Sequence, residues 1–179
     1  FSRDRWIHKK NTIKETKTGK LLNDLATYLR GFEEAFKFPS VIIVVLDSDD
    51  HDVQQFRSEL EAVAMQNMIK IDHVFCLAVE EIEAWLLGDR HALLSAYPHA
   101  KMHVLNTYVQ DSICGTWEVL ADAVYPGGTS KYQEHASFIE IGKLKAEWAQ
   151  NIGIHMDLKS NESPSFNDFI HEIERRLVS

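Results

Sequence analysis

Cysteine is almost missing from this chain: 179 residues hold two, Cys76 and Cys114, isolated and without metal-knuckle spacing. A disulfide framework or a thiolate zinc site is thereby excluded, and both residues read as reduced, structural thiols of a cytoplasmic protein. No apolar run approaches the roughly 20 residues of a membrane-spanning helix, and no signal-peptide pattern is visible. An excess of positive charge is also lacking. The net charge is −8 and the pI about 5.6, so no overall basic field draws in a polyanion; one would have to be held by a local basic patch or through a bound cation. There is no internal repeat and no low-complexity segment. The remaining composition, 45% hydrophobic and 26% charged, suits one ordinary globular domain, or a core with a small appendage.

What stands out against that background is Val41 to Asp52, VIIVVLDSDDHD. Six apolar residues, most of them β-branched, run directly into Asp47, Asp49, Asp50 and Asp52. An unbroken apolar run predicts a strand buried on both faces of a parallel sheet, and ligand sites in such sheets form beyond the carboxyl ends of the strands. Clustered carboxylates raise one another's pKa unless a cation, a proton or a basic side chain compensates. Magnesium or manganese, which take hard oxygen ligands, is the simplest compensator. Asp50 or Asp52 is explained by capping of the next helix. Asp47 and Asp49, two apart in an extended chain, would share a face and could converge on one ion.

Helical spacing of apolar residues predicts a helix over Gly19 to Phe36, followed by strand Val41 to Leu46 and a helix from Val53 to about Met68. A second strand, Ile71 to Val79, leads into Glu80, Glu81 and Glu83 and the helix containing Trp85. Strand and helix alternating at this interval predict an α/β fold with a parallel sheet and right-handed crossovers. If the two strands are neighbours, Asp47 to Asp49 and Glu80 to Glu83 emerge at the same sheet edge. On a helix Glu80 and Glu83 would fall together with Glu81 apart, although glutamates in a first turn are favoured by the helix dipole without any further role. From Arg90 onward the chain reads as helical, with helices around Trp117 to Val124, from about Tyr132 to Asn151, and from Pro164 to Leu177 with Ser163 as its N-cap. The organisation expected is therefore a core over 1–89 and a helical extension over 90–179 packed on it.

An Asp-x-Asp at a strand end serves several chemistries. Haloacid dehalogenase-like phosphatases follow it with Thr or Val and place it on the first strand, whereas Asp50 and His51 follow here. Sugar-nucleotide transferases and response-regulator receivers leave the rest of the chain unmatched. The TOPRIM arrangement, with the acids ending a central strand, fits best.

The combination of Asp47-Ser48-Asp49 with AVEEIEAWLLGD (Ala78 to Asp89), Ala96-Tyr97-Pro98, Thr116-Trp117-Glu118 and HMDLKSNESPSF (His155 to Phe166) resembles a bacterial TOPRIM-like family, itself a domain of unknown function, over nearly the whole chain from Gly19. The resemblance implies a TOPRIM-like Rossmann-type, mostly parallel sheet flanked by helices, with a helical C-terminal extension. By analogy it implies kinship with overcoming-lysogenization-defect-type nucleases and with TOPRIM proteins encoded beside ATPases in phage-defence loci. Carried over residue by residue, it makes Asp47, Asp49 and Glu83 metal ligands for Mg or Mn, and Glu81, Glu83 and Lys143 the catalytic candidates, with Lys143 meeting a phosphate. Asn161, Ser163, Ser165 and Phe166 match the family's last motif, for which helix capping is the plainer explanation.

The family's opening strand, which should supply a further glutamate, has no counterpart. The chain opens at Phe1 in mid-pattern and its basic segment Arg3 to Lys20 offers only Glu15 in a polar linker, so the expectation is either that an upstream piece is missing or that the site is incomplete. The expectation is thus a metal-dependent phosphodiester hydrolase acting transiently on nucleic acid, partnered by an ABC-type ATPase and independent of membranes, with assembly into a homo-oligomer left open. The alternatives are a non-catalytic regulatory subunit docking on an ATPase, and a small-molecule phosphoesterase.

Overall fold

A computed structural model describes residues 18–130 and 138–177. It is a mixed α/β structure in which two parallel strands are flanked by helices. In chain order the elements are α1 (Thr18–Ala35), β1 (Val41–Asp47), α2 (Val53–Gln66), β2 (Asp72–Ala78), α3 (Glu83–Leu87), α4 (Arg90–Ala96), α5 (Met102–Leu105), α6 (Thr116–Val124), α7 (Phe138–Gly153) and α8 (Pro164–Leu177). The basic N-terminal segment up to Lys17 and the first residues of the helix expected from Tyr132 lie outside the described residues.

The strands pair in register from Val41 opposite Asp72 to Asp47 opposite Ala78. Parallel pairing puts both carboxyl ends, and hence Asp47 and the Glu80–Glu83 segment, at one edge of the sheet. Helix α2 makes the crossover between them. Asp52 starts it, accepting the Gln55 amide at 2.8 Å, and relieves one of the unpaired N–H groups of a first helical turn.

Alternation along the strands separates two faces. Phe75 and Leu77 pack with Leu25 and Leu29 of α1 and Phe56, Leu60 and Ala64 of α2. On the opposite face Ala78 packs with Trp85 and with Phe166 of α8. Burial of β1 on both faces, which its unbroken apolar run predicts, does not occur among the described residues: Ile42, Val44 and Leu46 meet the first cluster, while Val41, Ile43 and Val45 stay 39%, 41% and 37% exposed. The physical reason is that helix α8 covers β2 on that side and, among the described residues, β1 pairs with β2 alone.

The second core is built mainly by helices and centres on Leu87, Leu93, Leu105, Leu120, Trp148 and Ile152. Short helices α4 and α5 build part of it, and neither is foreseen by the sequence pattern, since 7 and 4 residues are too few to set up a helical period. The late motif ties this half back to β2. Asn161 donates to the Trp85 carbonyl at 2.8 Å, Trp85 Nε1 donates to Ser165 at 2.9 Å, and Ser163 Oγ accepts the Phe166 amide at 3.2 Å as the cap of α8. Asp111 receives Ser163 Oγ and the Ser165 amide at 2.7 and 2.6 Å. Gly88 is required where this loop comes in, because a Cβ there would fall 2.1 Å from Asn161 Oδ1. These residues hold the α8 entry in place, which accounts for their chemistry without a ligand.

Candidate active site at the carboxyl end of the sheet

Both strands leave the sheet through a residue in left-handed backbone, Asp49 at φ 47° and Glu80 at φ 61°. An aspartate tolerates that region better than a glutamate, and such backbone costs of order 1 kcal/mol unless its surroundings enforce it. Here the two strained turns enforce each other. The Asp49 amide donates to the Glu80 carbonyl at 2.9 Å, the Ser48 amide to the Ala78 carbonyl at 2.9 Å, and the Glu80 amide to Ser48 Oγ at 2.9 Å. Ser48 is completely buried between them, a role its position between two aspartates does not announce.

These turns redirect every acid the sequence singles out. Strand geometry ends at Asp47, so the alternation argument that would aim Asp47 and Asp49 at one point fails. Asp47, itself exposed, instead accepts the Ile82 amide at 2.9 Å, while Asp49, beyond the turn, is also exposed and acts on Asp47 as a minor repulsion. Helical pairing of Glu80 with Glu83 also fails, because α3 begins only at Glu83. Glu80 turns away to α6, where its carboxylate accepts the amides of Cys114, Gly115 and Thr116 at 3.3, 2.7 and 2.8 Å. It caps that helix from a distance in sequence, placing negative charge at the positive end of the dipole. Gly115 precedes the helix at φ 80°, and a Cβ there would press within 2.8 Å of Glu118.

Glu81 and Glu83 are thereby the pair that converges, and they do so on a lysine of α7. Lys145 Nζ lies 2.7 Å from Glu81 Oε1 and 3.4 Å from Glu83 Oε2. Lys143 is exposed on the same helix; the basic residue that reaches the glutamates is Lys145. The stripe Leu144, Trp148 and Ile152 faces the core, and spacing alone does not tell which of two flanking lysines reaches over its edge. Thr116 Oγ1 approaches Glu81 Oε2 at 3.4 Å. Glu118 Oε2 is buried with no hydrogen-bond partner, and its carboxyl is raised by burial and then by Glu81 and Glu80.

The electrostatics are those of a site short of positive charge. Burial, reinforced by Glu81, pushes Asp47 up to about 6, against the pull of the Ile82 amide. Asp47 keeps an accessible outer side, so its inner surroundings set this shift. Glu83, 1% exposed, is pushed up to about 7 by burial, which the attraction of Lys145 does not overcome. Burial also works against the charge on Lys145, but Glu83 and Glu81 outweigh it and hold the ammonium above the usual lysine range. The three groups do not balance. Lys145 carries its charge, Glu81 at 2.7 Å is its ionic partner, and Glu83 favours its proton near neutrality.

Asp47, Glu81 and Glu83 offer only hard oxygen donors, two of them raised above the usual carboxylate range, and this donor chemistry fits magnesium or manganese. Among the described residues no three carboxylate, imidazole or thiol groups already stand as a metal-binding cluster; Lys145 occupies the space between two of the donors. No protein-family model, curated protein or solved structure matches the chain. Among the described residues no helix is long and apolar enough to cross a membrane.

Proposed function

We propose that the protein is a magnesium- or manganese-dependent phosphodiester hydrolase of nucleic acid, with Asp47, Glu81 and Glu83 as the carboxylates that would hold the ion and Asp49 at the rim. The observation that carries this reading is the surplus of carboxylate over cation at the sheet's carboxyl edge: Glu81 and Glu83 share the single ammonium of Lys145, and the Asp47 and Glu83 carboxyls stay above the usual carboxylate range although it is present. A bound divalent ion supplies Lewis acidity and a nucleophilic hydroxide at neutral pH. Lys145, released from Glu81 and Glu83, is the side chain positioned to neutralise a phosphate oxygen, the role expected of Lys143. Glu118, with its buried unpartnered oxygen, stands ready to accept a proton. As the chain's net charge is −8, substrate contact rests on the metal and on local cations, and binding without the ion should be weak.

The test is cleavage of plasmid, linear DNA and RNA in magnesium or manganese by the wild type, Asp47→Ala, Asp49→Ala and Glu83→Gln. Activity is expected only with a divalent ion and is lost in Asp47→Ala and Glu83→Gln. If every substrate survives, with the protein alone and with an ABC-type ATPase as partner, the hydrolase reading fails. One observation favours a second reading, a non-catalytic module that docks on such an ATPase: the Lys145 ammonium bridges Glu81 and Glu83, as a structural ion pair would. Under that reading Lys145→Met would loosen the fold and leave no metal-dependent activity to lose.

A further inference from the structure

Strand β1 lies against β2 along one edge only among the described residues. Along a strand, successive residues turn their backbone N–H and C=O to alternate edges. The Ser48 amide donates to the Ala78 carbonyl, so Ile42, Val44 and Leu46 also face β2, and Val41, Ile43, Val45 and Asp47 present their backbone groups outward. None of these outward groups meets a hydrogen-bond partner among the described residues. The side chains of Val41, Ile43 and Val45 are exposed too, on the face where α8 covers β2. Edge strands are guarded by a lysine, a proline or a bulge that blocks pairing. Val41 to Leu46 hold neither charge nor proline, and their register with β2 runs without a bulge.

Such an edge accepts a further strand, and the charges at its two ends select which. Lys37 is exposed ahead of β1, and Asp47, Asp49 and Asp50 are exposed at its far end. A second β1 laid antiparallel brings the lysine of each copy toward the acids of the other, whereas a parallel one would set acid against acid. A two-fold axis imposes the antiparallel arrangement. Pairing Ile43 with Val45 of the second copy sets Val41 opposite Asp47 and satisfies all four outward residues of each strand. The layer above the sheet fits as well. The two β2 strands would stand three strand spacings apart, about 14 Å. Two α8 helices of about 10–12 Å diameter, each over its own β2, would nearly meet above the paired β1 strands and cover Val41, Ile43 and Val45 of both copies.

We propose that the outer edge of β1 is the interface of a two-fold dimer of this chain, in which two β1 strands pair antiparallel to make one four-stranded sheet. The two clusters of carboxylates around Lys145 then lie at opposite ends of the shared sheet.

Sedimentation equilibrium of the full chain tests the assembly: the expected mass is twice the 20.6 kDa of one chain, and Val45→Lys should return it to that of one. Register is tested by oxidative cross-linking in a Cys114→Ser background, since Cys114 is exposed. Val44 of each copy lies on the axis, where facing Cα atoms are about 4.5 Å apart and within disulfide reach. Val44→Cys should therefore link the copies. Val41→Cys, about 20 Å from its counterpart, should not. Val44→Cys keeps a small apolar side chain and decides the matter should Val45→Lys misfold. A mass of one chain at every concentration would overturn the dimer and leave the edge to a different protein. A dimer that survives Val45→Lys, or one linked through Val41→Cys and not through Val44→Cys, would overturn the pairing of β1 with β1.

Discussion

Replacing Glu83 by glutamine should make the protein more stable at pH 8 and do so progressively less as the pH is lowered. In the folded chain the Glu83 carboxyl holds its proton up to about pH 7, whereas its ordinary value is 4.5. Between those values the folded state binds more protons than the unfolded one, so stability falls as pH rises. The loss starts above the ordinary value and is complete above about 7. At roughly 1.4 kcal/mol per unit it amounts to about 3 kcal/mol, and to somewhat less over the window from pH 5 to 8. Asp47 acts in the same direction at lower pH, but its exposed side weakens the effect. Lys145, raised above the usual lysine range, stays charged throughout the window and adds no titration of its own.

Glutamine keeps the shape and removes the charge that burial penalises. It also gives up the charged half of a 3.4 Å contact, while Lys145 retains Glu81 at 2.7 Å. Urea unfolding of wild type and Glu83→Gln at pH 5 and pH 8 isolates the effect, since all other groups titrate in both proteins. The difference in unfolding free energy between variant and wild type should move by about 2 to 3 kcal/mol in favour of the variant between the two pH values. A difference that does not change with pH would refute the assignment of a raised carboxyl to Glu83.

Lys145→Met leaves Glu81 and Glu83 without their cation and should cost about 3 kcal/mol at pH 8, less at pH 5 where Glu83 is protonated; the same change at exposed Lys143 should stay within about 0.5 kcal/mol, both read by urea unfolding. Ser48→Ala strips the Glu80 amide of its acceptor in a fully buried position and should cost about 1 to 2 kcal/mol; a stability equal to wild type would mean the two strained turns do not depend on it. Gly115→Ala places a Cβ at φ 80° against Glu118 and should lower stability by about 1 to 3 kcal/mol, visible as a drop in Tm.

Long, strongly periodic elements were legible in the amino-acid sequence. Helix α2, helix α8 with Ser163 as its cap, and the two strands fall within one or two residues of where apolar spacing and capping chemistry put them. The adjacency of the Asp47 and Glu81–Glu83 segments was legible too, because it follows from parallel pairing alone. What could not be read was anything that depends on a single backbone angle or on a distant contact. Left-handed backbone at Asp49 and Glu80 breaks both periodicities from which the site was assembled, and neither residue type announces it. Glu80 as the cap of α6 requires a loop more than thirty residues away. Lys145 rather than Lys143 depends on how α7 is rotated against α3, a degree of freedom that helical spacing leaves open. The exposed face of β1 depends on how many strands accompany it, and a run of apolar residues does not encode its number of neighbours.

The central claim is that the carboxylates at the sheet's end form a cation site whose protons stand in for the ion. Calorimetric titration of manganese at pH 6.5, in buffers of different ionisation enthalpy, tests it most directly. With Glu83 near 7 and Asp47 near 6, the two groups together hold about one proton at that pH, so binding should release about one proton per ion. Glu83→Gln should bind more weakly and release distinctly less. Absence of manganese binding, or binding with no proton release in the wild type, would contradict the account.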